Sequence, residues 1–238
     1  MEKAAVSSKT HTPNLRFERK FVYERGETQA IIENVSRNPF GFKEVFHLRK
    51  VNNIYFDDAN FNFYKQNVEG VANRKKLRLR WYGDESSQIH DPTIEIKIKQ
   101  GEVGDKVSHK LRGLSFNLQR QSPNEVHNGL IAATSNSFRI KQALSSLQPA
   151  LLNTYERRYF LSFCGKYRIT VDFNQEFYNP NYQVYQHSKT KIDDVILELK
   201  YALENDREAR EVSQSIAPRL SKNSKYVRGI NLLYHPEL

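Results

Sequence analysis

The feature that most restricts this chain is a set of segments in which apolar and charged residues alternate. From Lys76 to Tyr82, Leu77, Leu79 and Trp81 fall on one side and Lys76, Arg78 and Arg80 on the other. Thr93 to Lys99 sets Ile94, Ile96 and Ile98 against Glu95, Lys97 and Lys99. Arg16 to Tyr23 places Phe17, Phe21 and Tyr23 opposite Arg16, Glu18 and Lys20. The second half repeats the style. Tyr167 to Phe173 separates Tyr167, Ile169, Val171 and Phe173 from Arg168, Thr170 and Asp172, and Val195 to Tyr201 separates Val195, Leu197 and Leu199 from Ile196, Glu198 and Lys200. A period of two marks a strand, because successive side chains leave opposite faces of the pleat.

Helical stretches fall between these strands. Thr28 is expected to cap a short one through Ile31, Ile32 and Val35 that stops before Pro39. Pro123 to Leu147 reads as mostly helical with polar breaks near Ser135 to Ser137, and further helices are expected over Asp206 to Ala217 and Ser221 to Leu233. The class is therefore α+β, dominated by antiparallel strands. With no internal repeat or long linker, one domain over 14–238 is expected behind a flexible segment, 1–13.

Any one such strand could belong to a sheet with one wet face. The set is different, because its charged faces hold Arg, Lys and Glu almost to the exclusion of Ser, Thr and Asn. Like charges two residues apart, Arg78 with Arg80 and Lys97 with Lys99, repel unless an anion or interspersed carboxylates neutralise them. Turning the charged faces inward gives a closed antiparallel β-barrel with a charged lumen and flanking helices. Linear phosphate chains suit that lumen, since Arg grips phosphate oxygens bidentately and Lys acts as a point charge. Glu18, Glu95 and Glu198 would supply hard oxygen ligands for a divalent cation.

Composition agrees with an anionic partner. Lys and Arg total 37 against 27 Asp and Glu, a net charge of +10, which fits nucleic acid, an acidic membrane surface or a phosphate-rich small molecule. Most aromatic residues alternate onto the faces opposite the charges, so they read as core rather than as base-stacking platforms, and no nucleic-acid partner is expected. Cys164 is the only cysteine, which rules out an internal disulfide and a cysteine-based zinc site. The seven histidines show no ligand spacing, and His47, His109 and His187 read as ordinary polar residues. No apolar run reaches membrane-spanning length, and Met1 to Pro13 has no apolar signal core, so a cytoplasmic protein is the expectation. The sequence identifies no membrane-protein partner.

The ordered series Arg16-Phe17-Glu18-Arg19-Lys20-Phe21, Asn53-Ile54-Tyr55-Phe56-Asp57, Leu77-Arg78-Leu79-Arg80-Trp81-Tyr82-Gly83 and Ile94-Glu95-Ile96-Lys97 resembles the VTC domain. That is the polyphosphate-polymerase domain of vacuolar transporter chaperone complexes, within the triphosphate tunnel metalloenzymes of the CYTH superfamily. The resemblance continues through Tyr155-Glu156-Arg157-Arg158, Tyr167 to Asp172, Ile196 to Lys200 and Ser221 to Tyr226. It implies a tunnel that binds the triphosphate of ATP and a growing inorganic polyphosphate, with Mn2+ or Mg2+. It implies catalytic roles for Arg78, Arg80, Lys97, Arg168 and Lys225, and phosphate contacts from Lys20, Lys99, Arg157, Arg158, Lys200 and Lys222. Glu198 would be the principal metal ligand, joined by Glu18. Strand parity leaves open whether Arg157 or Arg158 faces inward. Lys222 and Lys225, three apart, would share one helical face at a tunnel mouth. The superfamily's Glu-x-Glu-x-Lys signature reads Arg16-Phe17-Glu18-Arg19-Lys20 here, which leaves fewer carboxylates for metal and favours the polymerase branch. No counterpart of the eukaryotic proteins' amino-terminal sensor or membrane spans is seen, so a free-standing catalytic domain is expected. If water replaces the phosphate chain the same site is an inorganic triphosphatase, and a non-catalytic polyphosphate- or nucleic-acid-binding module is the other class.

Overall fold

The alternating segments become strands of one antiparallel sheet in the computed structural model, which describes residues 16–84, 88–100, 103–134, 137–185, 187–216, 220–221 and 223–234. The expected flexible segment 1–13 lies outside the described residues. In chain order the elements begin with β1 (Arg16–Tyr23), α1 (Thr28–Ser36), β2 (Lys43–Asp57), α2 (Asn62–Glu69), β3 (Asn73–Tyr82) and β4 (Ile89–His90). There follow β5 (Thr93–Gln100), β6 (Val103–Lys110), β7 (Ser115–Phe116), α3 (Pro123–Ala133), α4 (Phe138–Ser145) and β8 (Gln148–Leu161). The chain continues with β9 (Arg168–Tyr178), α5 (Tyr182–Tyr185), β10 (Thr190–Ile192), β11 (Val195–Ala202), α6 (Asp206–Gln214) and α7 (Lys225–Tyr234). The main sheet runs β1-β11-β9-β8-β2-β3-β5-β6, with β10 beside β9, while β4 and β7 form a separate pair.

The apolar faces lie outside. Leu77, Leu79, Trp81, Ile94 and Ile96 are buried beneath Val126 and Leu130 of α3 and Ile140 and Leu144 of α4. Phe21, Ile169, Val171, Leu197 and Leu199 pack against Ile31, Ile32 and Val35 of α1 and Ala209 and Val212 of α6. Each fully buried side chain of this size contributes roughly 1.5–3 kcal/mol, so the two outer cores fix the register of every strand that carries a charged inner face.

The sheet does not close into the expected barrel. β1 and β6 are the two ends of the strand path. The free edge of β1 is occupied by another stretch of chain: Leu220 bridges Phe21, and the Ser221 amide donates to the Lys20 carbonyl at 2.9 Å. Backbone groups engaged there are no longer available to β6. The rims still meet through side chains, because Lys97 of β5 reaches Glu18 of β1 at 3.1 Å. The charged face is thus bent into a deep trough with an ionic seam.

The last helix also starts later than expected, at Lys225 rather than Ser221. Ser224 caps it, its hydroxyl accepting from the Val227 amide at 3.4 Å and its carbonyl from Arg228 at 2.9 Å. Of the expected pair only Lys225 is placed, at the start of the helix; Lys222 lies outside the described residues.

Candidate functional site

Register assembles the first wall of the trough. Arg78 stands between Tyr55 of β2 and Glu95 of β5, and Arg80 between Asn53 and Thr93. Arg78 Nε and Nη2 both lie 2.6 Å from Glu95 Oε2, and Arg80 Nη1 is 3.7 Å from the same oxygen. Arg80 Nε also donates to Asn53 Oδ1 at 2.9 Å, and Lys106 of β6 reaches Glu95 Oε1 at 2.6 Å. Burial pushes the Glu95 carboxyl up, but Arg78, Arg80 and Lys106 outweigh it and hold the group at about 2. One carboxylate thus orients three cations and leaves net positive charge facing the trough.

The opposite wall centres on Asp172 of β9. Arg157 of β8 grips it as a fork, Nε to Oδ1 at 2.5 Å and Nη2 to Oδ2 at 2.7 Å, and Lys225 of α7 lies 2.5 Å from Oδ2. Arg157 Nη2 is also 3.9 Å from Glu198. The Tyr155 ring lies beneath both cations, 4.5 Å from Lys225 Nζ and 5.2 Å from the Arg157 guanidinium carbon. Its hydroxyl accepts from Arg80 Nη2 at 3.3 Å, which links the two walls. Burial disfavours ionised Asp172, yet Arg157 and Lys225 keep its carboxyl below the usual range. Glu198 is held well below that range against burial by Lys200, Lys20, Arg157 and Lys225.

α7 covers one mouth. Lys20 Nζ donates to the Asn223 carbonyl at 3.0 Å, Lys76 Nζ to Ser224 Oγ at 2.7 Å, and Lys225 holds Asp172. The helix is seated by Tyr226, which stacks on Tyr55 at 5.2 Å and donates its hydroxyl to Asp57. Gly229 allows the close approach, since a Cβ there would lie 2.6 Å from Phe177 Cδ1. Burial, then the cations of Lys20, Lys97, Arg74 and Arg78, lower the Lys76 ammonium to about 7. A bound phosphate reverses that balance by favouring the charged form. Tripolyphosphate binding is therefore expected to take up a proton above pH 7 and to weaken as pH rises from there. Calorimetry at pH 8 in two buffers of different ionisation enthalpy reads the uptake directly. Lys76→Met should take up less than the wild type, and equal uptake in the two proteins would remove Lys76 from the phosphate site.

A model of the VTC domain matches residues 15–234. This chain belongs to the VTC domain family. Among solved structures, PH1819 protein from Pyrococcus horikoshii OT3 is similar over 91% of this chain and 96% of that one, at 13% identity and a TM-score of 0.48. A "putative adenylate cyclase" from Vibrio parahaemolyticus is similar over 90% of this chain and 97% of that one, at 12% identity and a TM-score of 0.50, a likeness of fold alone. No curated protein matches in sequence.

The VTC domain brings most of the expected site residues onto one surface. Lys20, Arg78, Arg80, Lys97, Arg157, Lys200, Lys225, Glu18 and Glu198 all face the trough. Arg168 begins β9 opposite Lys200 and is exposed at the rim. Lys99 lies toward one end of β5, where it lines a cavity of about 200 Å³ with Arg74 and Lys75. Arg158 is a correction: it points out of the trough and forks onto Glu44 at 2.8 and 2.5 Å. Parity runs unbroken through this part of β8, so Arg157 shares the inner face with Tyr155 while Arg158 shares the outer face with Leu152 and Phe160; the bulge between Thr154 and Glu156 puts its extra residue on β9. Asp172, Lys76 and Tyr155 are among the site residues not expected as phosphate or metal contacts. Alternation already put Lys76 and Asp172 on charged faces, but it does not locate Ser224, the cap of α7, or Arg157 and Lys225 as their partners.

The donor set can be compared with the metal that the family implies. Glu18 Oε1 and Glu198 Oε1 lie 3.6 and 3.3 Å from the same Lys200 ammonium, so the two carboxylates share one patch. Among the described residues no three His, Cys, Asp or Glu side chains form a cage for a metal. Two ionised carboxylates fit a hard cation that keeps water and substrate phosphates as its remaining ligands, as Mg2+ does.

Among the described residues no helix is long and apolar enough to cross a membrane.

Proposed function

We propose that this VTC domain transfers the γ-phosphoryl group of ATP to the end of an inorganic polyphosphate chain held in the trough, in the cytoplasm. The observation that carries the reading is the convergence of Arg78, Arg80 and Arg157 with Lys20, Lys76 and Lys97 on one inward face, where carboxylates neutralise only part of the charge. Phosphoryl transfer asks little covalent help of a protein and much positioning and charge stabilisation. A terminal phosphate oxygen of the chain attacks the γ-phosphorus as the bond to the β–γ bridging oxygen breaks, and ADP leaves with that electron pair. The nucleophile is the substrate's own anion, so no Ser, Cys or His nucleophile is needed. Arg78 and Arg80, oriented by Glu95, would grip the transferring group, while Arg157, Lys20 and Lys97 hold flanking phosphates. Glu198, with Glu18, would hold Mn2+ or Mg2+, which when bound offsets charge on neighbouring phosphates.

The test is incubation of the purified protein with ATP and Mn2+, following polyphosphate, ADP and free phosphate together. Polymer and ADP are expected from the wild type, with Glu198→Gln losing both and retaining the fold. Free phosphate without polymer would make the domain a triphosphatase. No turnover, with tripolyphosphate still bound, would make it a binding module.

A further inference from the structure

The mouth opposite α7 differs in chemistry from the rest of the trough. β3 ends at Tyr82, opposite Val51, so residues 43–50 of β2 continue past it beside β8. On this projecting stretch Arg49 pairs with Arg157 and Phe46 with Tyr159, which places both beside the inner wall. The Arg49 guanidinium carbon lies 4.6 Å from the centre of the Phe46 ring, 5.4 Å from Tyr159 and 5.5 Å from Tyr82. Phe46 and Tyr159 meet edge-on, with centroids 5.5 Å apart. No carboxylate among the described residues forms an ion pair with Arg49. Tyr82 is 54% exposed and Phe46 50% exposed.

Deeper in the trough the aromatic residues Tyr55 and Tyr155 are buried, so half-exposed rings around a cation at its open end call for an occupant. A phosphate chain has no use for ring faces. A nucleobase does, because aromatic rings and guanidinium planes both stack on it. The position suits the remainder of a nucleoside triphosphate. Phosphates seated on Arg78, Arg80 and Arg157 have α7 at one end, and at the other they run to Arg49, the next cation beside Arg157. We infer that Phe46, Arg49, Tyr82 and Tyr159 form a stacking site for the nucleobase of the nucleoside triphosphate. This inference rests on the triphosphate reading of the trough, and it assigns the donor substrate as a nucleotide rather than a bare phosphate chain.

The test compares equilibrium binding of ATP and of inorganic tripolyphosphate to the wild type, Tyr82→Ala and Tyr82→Phe. Tyr82→Ala is expected to weaken ATP about tenfold, the scale of one lost base–aromatic stack. Tripolyphosphate should bind that variant as it binds the wild type, which also reports an intact fold, and Tyr82→Phe should restore ATP affinity. Equal loss for both ligands, or no loss for either, would overturn the stacking site. So would tripolyphosphate binding with no ATP binding, and in each of these cases the triphosphate trough would stand. If the wild type bound neither ligand, both readings would fall together.

Discussion

Replacing Arg157 with methionine is expected to destabilise the fold by about 3–5 kcal/mol, the range for removing one partner of a buried ion pair. Asp172 is fully buried and takes both of its Arg157 hydrogen bonds from the fork. Without Arg157 the carboxylate keeps only Lys225, which reaches it from the separate helix α7. The double variant Arg157→Met with Asp172→Asn removes the uncompensated charge and should recover a large part of the loss. Urea unfolding at pH 7 measures both effects, and a loss below about 1 kcal/mol would mean the pair behaves like an exposed one. The sign of the pH dependence follows from the depressed Asp172 carboxyl. Its stabilising contribution is present above the unfolded value of 3.8 and is lost as pH falls through the lower folded value. Taking away Arg157 narrows that difference, so the stability gap between the wild type and the single variant should shrink as pH falls below 3.8.

Asp172 also shows how far the sequence could be followed. Strict alternation made Arg78, Arg80, Glu95, Lys97, Glu198 and Lys200 readable as one face each, because the opposite residues are buried as the pattern requires. It also separated Asp172 from Val171 and Phe173. What alternation cannot supply is the partner across the sheet, and a carboxylate beside expected phosphate-binding cations has no evident role until β8, β9 and α7 meet around it. The same limit explains Arg158. Parity makes the two arginines face opposite ways, but only the Glu44 fork on the outer face reveals which of them turns inward. The barrel failed to close for a reason of longer range still, since Leu220 and Ser221, at the far end of the chain from β1, take up its free edge. Arg49 was hidden because the motif series touches β2 only from Asn53 to Asp57, whereas the strand begins ten residues before Asn53, at Lys43. Residues 43–48 are exposed on both faces and Arg49 and Lys50 are half-buried, so no apolar face marks this part of the strand.

Arg78→Ala is expected to leave the fold nearly as stable as before while lowering ATP turnover about a hundred- to a thousandfold, the scale for losing one preorganised charge-stabilising donor. The contrast with Arg157 comes from their carboxylates. Glu95 keeps Arg80 and Lys106 after Arg78 is gone, so no buried charge is stranded. Arg78 is also more open than Arg80, with 26% of its side chain accessible against 12%. Its Nε and Nη2 are fixed on Glu95, and Nη1 lies 3.4 Å from the Tyr55 hydroxyl, so the guanidinium plane is set before a phosphate arrives. Arg78→Lys keeps the charge but gives up the planar fork, and it should recover binding of tripolyphosphate more fully than turnover. Steady-state kinetics separates the two contributions. A fall in kcat with KM little changed in Arg78→Lys assigns the fork to the transferring phosphoryl group. A rise in KM with kcat intact would instead make Arg78 a residue that holds substrate and transition state equally, and the stabilising role would pass to Arg80 and Arg157.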